Sequence, residues 1–118
     1  MNSHQRANPF PNVPQVAART AYEEWQGDQA SILDVREPEE WQMGHIDGSQ
    51  WIPMGQLTHR WTELATHRKW IVVCRSGSRS NYVAAALREA GIEACNLEGG
   101  MLEWQAEKLP ITAPGLVE

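Results

Sequence analysis

Residues 74–80 read "CRSGSRS": one thiol followed closely by two guanidinium groups, three hydroxyls and a glycine. The thiolate is the reactive form of cysteine, and helix N-termini and neighbouring cations favour it. The run before it, "KWIVVC", has the β-branched content of a buried strand. The run after it, "SNYVAAALREAG", reads as a helix with Val83, Ala86, Leu87 and Ala90 on one face and Gly91 as its stop. A helix starting near Ser78–Ser80 leaves its first N–H groups without intrahelical partners and turns the positive end of its dipole towards the loop. Together with loop amides, this predicts an anion cradle. Gly77 permits a backbone angle closed to other residues. Ser76, Ser78 and Ser80 are small enough for amides to approach a bound group, and Arg75 and Arg79 add positive charge at the rim. Cys74 is therefore a candidate nucleophile. The cradle would stabilise its thiolate or an anion carried on the sulfur, such as a persulfide, phosphate, arsenate or sulfonate-like group. The competing reading is a small buried hydrophobe at a strand end.

Helices and strands alternate around this loop. "QVAARTAYEEWQGD" predicts a short strand and then a helix closed by Gly27. "SILDV" and "EACNL" are short apolar runs that suit buried strands. "EPEEWQMG" places Pro38 at a helix start, acids in the first turn and Gly44 at the stop. "SQWIP" predicts a strand ended by Pro53, "LTHRWTELATH" an amphipathic helix carrying Leu57, Trp61, Leu64 and Ala65, and "MLEWQAEKL" a last helix. The β-α repetition, with continuously apolar strands, argues for an α/β fold whose mostly parallel sheet has helices on both faces. Function in such sheets gathers at the carboxyl ends of the strands, where Cys74 falls.

At 118 residues, 42% hydrophobic and 21% charged, the chain has the size and balance of one globular domain. Residues 1–12 predict an extended or flexible N-terminal arm, 13–109 the folded domain and 110–118 an irregular tail. The net charge of −5 disfavours a general nucleic-acid or anionic-membrane binder. No apolar stretch approaches the ~18 residues of a membrane span, and the first twenty residues lack the apolar core of a secretory signal. A cytoplasmic, reducing location is expected, with Cys74 and Cys95 as free thiols. Cysteines and histidines show no metal-site spacing, so neither metal nor cofactor is expected.

Three stretches, "LDVREPEEWQMGHIDGSQWIP" (Leu33–Pro53), "IVVCRSGSRS" (Ile71–Ser80) and "NLEGGMLEW" (Asn96–Trp104), resemble the single-domain rhodanese family, the thiosulfate sulfurtransferase-like proteins. The likeness implies a three-layer fold with a central, mostly parallel five-stranded sheet flanked by helices. It also implies transfer of sulfane sulfur. Cys74 would take the outer sulfur of thiosulfate or a related anionic donor, hold it as a persulfide over the Arg75–Ser80 segment, and pass it to cyanide or a thiol, or to a sulfur-relay protein. Arg75 and Arg79 would help attract the donor.

In the same likeness Asp34 and Arg36 of "LDVR" lie near the active loop. Asp34 is expected to bind backbone or an arginine, while Arg36 suits either substrate contact or an ion pair. Asp47 stands where proline is usual in the "GHIPG" stretch, a departure in a turn. His45 is expected to be a loop residue with a satisfied hydrogen bond. Trp41, Trp51 and Trp104 are expected in the core, and Glu37, Glu39 and Glu40 as a solvated helix start. Cys95 is expected as a buried strand residue, with a resolving thiol for Cys74 as the alternative.

Two other functions suit a loop of this kind. One is a sulfur-carrier or regulatory protein-binding module. The other is a cysteine phosphatase or arsenate reductase, which resembles rhodaneses in its Cys-to-Arg anion loop. Four residues separate Cys74 from Arg79. The phosphatase loop is one residue longer, widening the cradle for a tetrahedral oxyanion, so the shorter loop favours a single sulfur.

Overall fold

The computed structural model of the chain describes residues 8–114. Five short strands form one sheet: β1 (Gln15–Val16), β2 (Ser31–Asp34), β3 (Gln50–Trp51), β4 (Trp70–Val73) and β5 (Ala94–Leu97). They lie in the order β1-β5-β4-β2-β3, and every neighbouring pair is parallel. The β-branched run before Cys74 is therefore the central strand. Side chains alternate across a strand, and on β4 both sets are apolar. Trp70 and Val72 face one core cluster, whereas Ile71 and Val73 face the other. That is why the strands read as continuous apolar runs: each face is covered.

Helices α1 (Ala18–Gln26) and α5 (Gly100–Ala106) cover one face, through Ala18, Ala21, Met101 and Trp104. Helix α4 (Ser78–Glu89) covers the other, through Val83, Ala84 and Leu87. Helix α2 (Pro38–Gln42) sits between β2 and β3 in the chain and has no fully buried residue.

Two helical expectations differ in detail. The stretch expected as one helix over 57–67 is broken into a 3-10 turn at Met54–Gln56, helix α3 (Leu57–Arg60) and a second 3-10 turn at Trp61–Glu63. Thr58, His59, Trp61 and Thr62 are weak helix formers. Leu64 then takes an extended backbone (ψ 131°) that carries its side chain into the core, where it is 3% exposed. On α4 the buried set is Ser80, Asn81, Val83, Ala84 and Leu87, whereas Ala86 and Ala90 are exposed. The inward face includes polar Ser80 because that side chain serves the loop before the helix.

Residues 1–7 and 115–118, which carry most of the expected arm and part of the tail, lie outside the described residues. The adjoining described segments lie against the domain. Asn8 Oδ1 accepts hydrogen bonds from Phe10 N–H and Asn81 Nδ2, and the Phe10 ring meets Tyr82 edge-on at 5.6 Å. At the other end, Trp104 Nε1 donates to the Pro110 carbonyl, and Thr112 exchanges two backbone hydrogen bonds with His45. No described helix is long and apolar enough to cross a membrane.

Candidate active site

Cys74 follows β4 directly and is fully buried, while Arg75, Ser76 and Ser78 beside it are exposed. Gly77 forms the N-cap of α4 with φ +105°, in the left-handed region. A Cβ there would meet Gly99 N at 3.3 Å and Asn96 Nδ2 at 3.6 Å, so the position suits glycine on both conformation and space. The turn folds the chain back over the sulfur. Gly77 N–H donates to Cys74 Sγ at 3.1 Å, Ser80 N–H at 3.4 Å and Ser80 Oγ at 3.2 Å. Ser80 N–H is one of the first-turn donors that a helix cannot satisfy internally, and here it points at the sulfur.

The other end of the loop is held by a second helix N-terminus. Met101 N–H donates to the Cys74 carbonyl at 2.9 Å and Leu102 N–H to the Arg75 carbonyl at 3.0 Å. Loop carbonyls are thus turned towards α5 and loop amides towards the sulfur. Gly100 allows this approach: a Cβ on it would lie 2.5 Å from the carbonyl oxygens of both Cys74 and Arg75.

Burial opposes ionisation of the Cys74 thiol. Hydrogen bonds from the Ser80 hydroxyl and from the N–H groups of Ser80, Gly77 and Ser76 outweigh it, and hold the thiol below its ordinary value of 9.0. Among the described residues no such donor reaches Cys95, and burial pushes it up to about 11. Both cysteines are free. Cys74 packs in the α4 layer and Cys95 in the α1/α5 layer. Cys95 lies opposite Ile71, three residues before Cys74. At ~3.3 Å per residue along the strand, that separation exceeds the ~7 Å Cα limit for a disulfide. The structure therefore does not favour Cys95 as a resolving thiol.

The two arginines of the loop differ. Arg75 is exposed and lines an opening of about 350 Å³ whose walls include Arg36, the acidic Glu39 and Glu40, Met43 and Met101. Arg79 is committed to Glu40 of α2: its Nη1 and Nη2 reach the two carboxylate oxygens at 2.8 and 2.7 Å. The Arg79 hydrogen bonds draw the Glu40 carboxyl down to about 2. Much of the charge expected to recruit a donor through Arg79 is thus balanced within the protein, leaving Arg75 as the loop's outward-facing cation.

Asp34 and Arg36 form a buried pair at the end of β2, 1% and 4% exposed. Arg36 Nη2 reaches Asp34 Oδ2 at 2.8 Å and the Gly44 carbonyl at 2.8 Å, while Nε lies 3.0 and 3.1 Å from the two carboxylate oxygens. This pair braces the β2–α2 turn beside the loop, and Arg36 also lines the Arg75 opening. His45 stacks on Trp41 at 3.8 Å, and its Nδ1 lies 3.0 Å from the Trp41 carbonyl. Trp41 stacks in turn on Trp51 at 4.5 Å, and these two rings are only half-buried, whereas Trp104 is fully buried.

Three residues matter here that the sequence reading did not single out. Glu40 sat within an acidic run that read as solvated, and its partner Arg79 is 39 positions away. Gly100 and Asn96 fall inside the third quoted motif, but nothing local distinguishes their roles. Asn96 Nδ2 donates to the Gly77 carbonyl at 3.0 Å, tying the loop to β5.

The sequence profile of the Rhodanese-like domain matches residues 17–107. A putative sulfurtransferase of Bacillus subtilis, YtwF, is 36% identical over 83 residues, which is 70% of this chain and 81% of that protein. The putative sulfur carrier protein YrkF of the same organism is 32% identical over 95 residues, 79% of this chain but only 51% of YrkF. Among solved structures, a rhodanese-related protein from Thermoplasma volcanium superposes with a TM-score of 0.79 at 32% identity, covering 84% of this chain and 97% of that one. With a parallel sheet of this order, a cysteine loop at its carboxyl edge and a profile match over most of its length, the chain belongs to the rhodanese-like domain family.

Proposed function

We propose that this chain is a sulfurtransferase that carries sulfane sulfur on Cys74 as a persulfide, with thiosulfate or a related anionic donor and a thiol or cyanide as acceptor. The observation that carries the reading is the convergence of Gly77 N–H, Ser80 N–H and Ser80 Oγ on Cys74 Sγ. Donors fixed on Sγ stabilise the Cys74 thiolate twice in the cycle, as the nucleophile that takes the sulfur and as the group that departs when the acceptor removes it.

In the first half-reaction the Cys74 thiolate attacks the outer sulfur of thiosulfate. A new S–S bond forms, the donor's S–S bond breaks, and sulfite leaves with the electron pair. In the second, the acceptor's nucleophilic atom attacks the terminal persulfide sulfur, and the Cys74 thiolate departs, ready for the next cycle. No net redox agent is required, and the two steps are ping-pong covalent catalysis. Arg75, exposed beside the loop, suits an anionic donor. A cytoplasmic location accords with free thiols in a reducing compartment.

The Arg79–Glu40 pair weighs against phosphatase chemistry, which needs its loop arginine for the phosphoryl oxygens. A sulfur-carrier role uses the same persulfide with protein partners, and the similarity to YrkF supports it as the second reading. Steady-state transfer from thiosulfate to cyanide or a small thiol tests the proposal. Turnover in the wild type and none in Cys74→Ser supports the enzyme. Stoichiometric loading without turnover supports the carrier, and phosphate release from an aryl phosphate by the wild type alone would overturn both.

A further inference from the structure

Ser80 Oγ stands within hydrogen-bond reach of two acceptors, Cys74 Sγ and Asn96 Oδ1. A hydroxyl has one proton, so it donates to only one of them at a time. The orientation of Asn96 is fixed independently. Its Nδ2 faces the Gly77 carbonyl at 3.0 Å and Gln15 Oε1 at 2.9 Å, and a carbonyl can only accept. Gln15 is held in turn by donation from its Nε2 to Asn81 Oδ1 at 2.9 Å and to the Val13 carbonyl at 3.3 Å. Asn96 Oδ1 is therefore locked towards Ser80, and Ser80 and Asn96 are 0% and 3% exposed. Because both side chains are buried, each choice made by the Ser80 proton is felt by the acceptor it leaves.

We propose that Asn96 is a positioning residue that acts through Ser80 as a two-position hydroxyl switch on Cys74. In the neutral state the thiol S–H donates to Ser80 Oγ, and Ser80 donates to Asn96 Oδ1. On ionisation the thiol proton leaves for a solvent base, the electron pair stays on sulfur, and the Ser80 hydroxyl turns from Asn96 to the anion. Asn96 thereby competes with the thiolate for one proton and restrains ionisation, whereas Ser80 promotes it. The charged groups around the site are Arg75 on the loop, Arg79 of α4 balanced by Glu40 of α2, the Asp34–Arg36 pair at the end of β2, and Glu98 and Glu103 beyond β5. Among the described residues, none of their side chains bonds to Ser80 or to the Asn96 amide.

This inference rests on Cys74 being the reactive thiol of the proposed function, yet its test reads ionisation alone. A protein that takes up no sulfur still reveals the switch. The ultraviolet absorbance of the thiolate is titrated in the full chain, and the Cys74→Ser curve is subtracted to isolate Cys74. Ser80→Ala is expected to raise the apparent pKa by about one unit and Asn96→Ala to lower it by about half a unit. In the Ser80→Ala background, Asn96→Ala is expected to have no further effect. If Asn96 only props up the loop, its substitution shifts the pKa equally with or without the Ser80 hydroxyl. That result, an upward shift in the single Asn96→Ala variant, or no shift at all, overturns the proposal. Should Asn96→Ala fail to fold, Asn96→Leu keeps the approximate volume and removes the acceptor oxygen without adding a charge. Its downward shift is expected with Ser80 present and not in the Ser80→Ala background, and equal shifts overturn the switch.

Discussion

Arg79 and Glu40 meet end to end, with both terminal guanidinium nitrogens on both carboxylate oxygens, across the gap between the helix that begins at the loop and the helix that follows β2. Bidentate pairs of this kind are the stronger and more directional ion pairs. The pair joins two separate segments of the chain next to the sulfur, and it braces the first turn of α4, whose Ser80 N–H bonds to the sulfur.

Glu40→Gln should lower stability by about 1 kcal/mol at neutral pH, since the pair is only half-buried and partly screened. The carboxyl is held at about 2 against an ordinary value of 4.5. A depressed carboxylate contributes stability that is complete above the higher value and is lost as pH falls towards the lower one. Urea denaturation should therefore separate wild type and Glu40→Gln at neutral pH, and the gap should close between about 4.5 and 2. A gap that does not change with pH would rule the pair out as its cause.

Gly100→Ala forces a methyl group to within 2.5 Å of two loop carbonyl oxygens, at a residue with φ +61°. The expected loss is about 2–4 kcal/mol, or a fall in Tm of about 8–16 °C for a domain of this size. Gly55→Ala is the control, because nothing lies within 4 Å of a Cβ there. Its Tm should stay within a few degrees. Equal behaviour of the two variants would contradict the close packing of α5 on the loop.

Asp34→Asn leaves the Arg36 guanidinium buried without its counter-charge. Breaking a buried pair in this way costs about 3–5 kcal/mol. Arg36→Met strands the buried Asp34 carboxylate in the same way and should cost a similar amount, whereas the double variant Asp34→Asn with Arg36→Met removes both charges and should cost less than the sum of the two single losses. If Arg36 instead serves mainly to bind the donor, Arg36→Met would raise KM several-fold while leaving the melting curve unmoved.

Hydrogen bonds to the sulfur draw the Cys74 thiol down from its ordinary value, whereas burial pushes Cys95 up to about 11. Alkylation near pH 7 followed by peptide mapping should therefore mark Cys74 first, by about tenfold or more in rate. The preference should narrow as pH rises and the ordinary thiol range is passed. Preferential marking of Cys95 would contradict the assignment of the reactive sulfur.

The strands and the loop were legible because their signals are local. "KWIVVC" is apolar at every step because β4 is buried on both faces, and Gly77 follows Cys74 closely because the turn needs a positive φ. The parts that were not legible depend on pairing across the chain. Glu40 and Arg79 are 39 residues apart, and although Glu37 and Glu40 close a local capping box, with Glu37 N–H donating to Glu40 Oε1 at 3.0 Å, nothing local points Glu40 towards Arg79. Asn96 lies on a strand and looks like any polar residue among apolar ones, until Gly77, Gln15 and Ser80 converge on it. The helix expected over 57–67 failed for a related reason: Leu64 gains more by entering the core in an extended conformation than by prolonging a run of weak helix formers.

Intact-protein mass spectrometry after incubation with thiosulfate tests the persulfide most directly. The wild type should gain the mass of one sulfur atom, lose it on treatment with a thiol reductant, and show no gain in Cys74→Ser. Absence of that adduct with thiosulfate and with other sulfane-sulfur donors, or an equal gain in Cys74→Ser, would contradict sulfur transfer through Cys74.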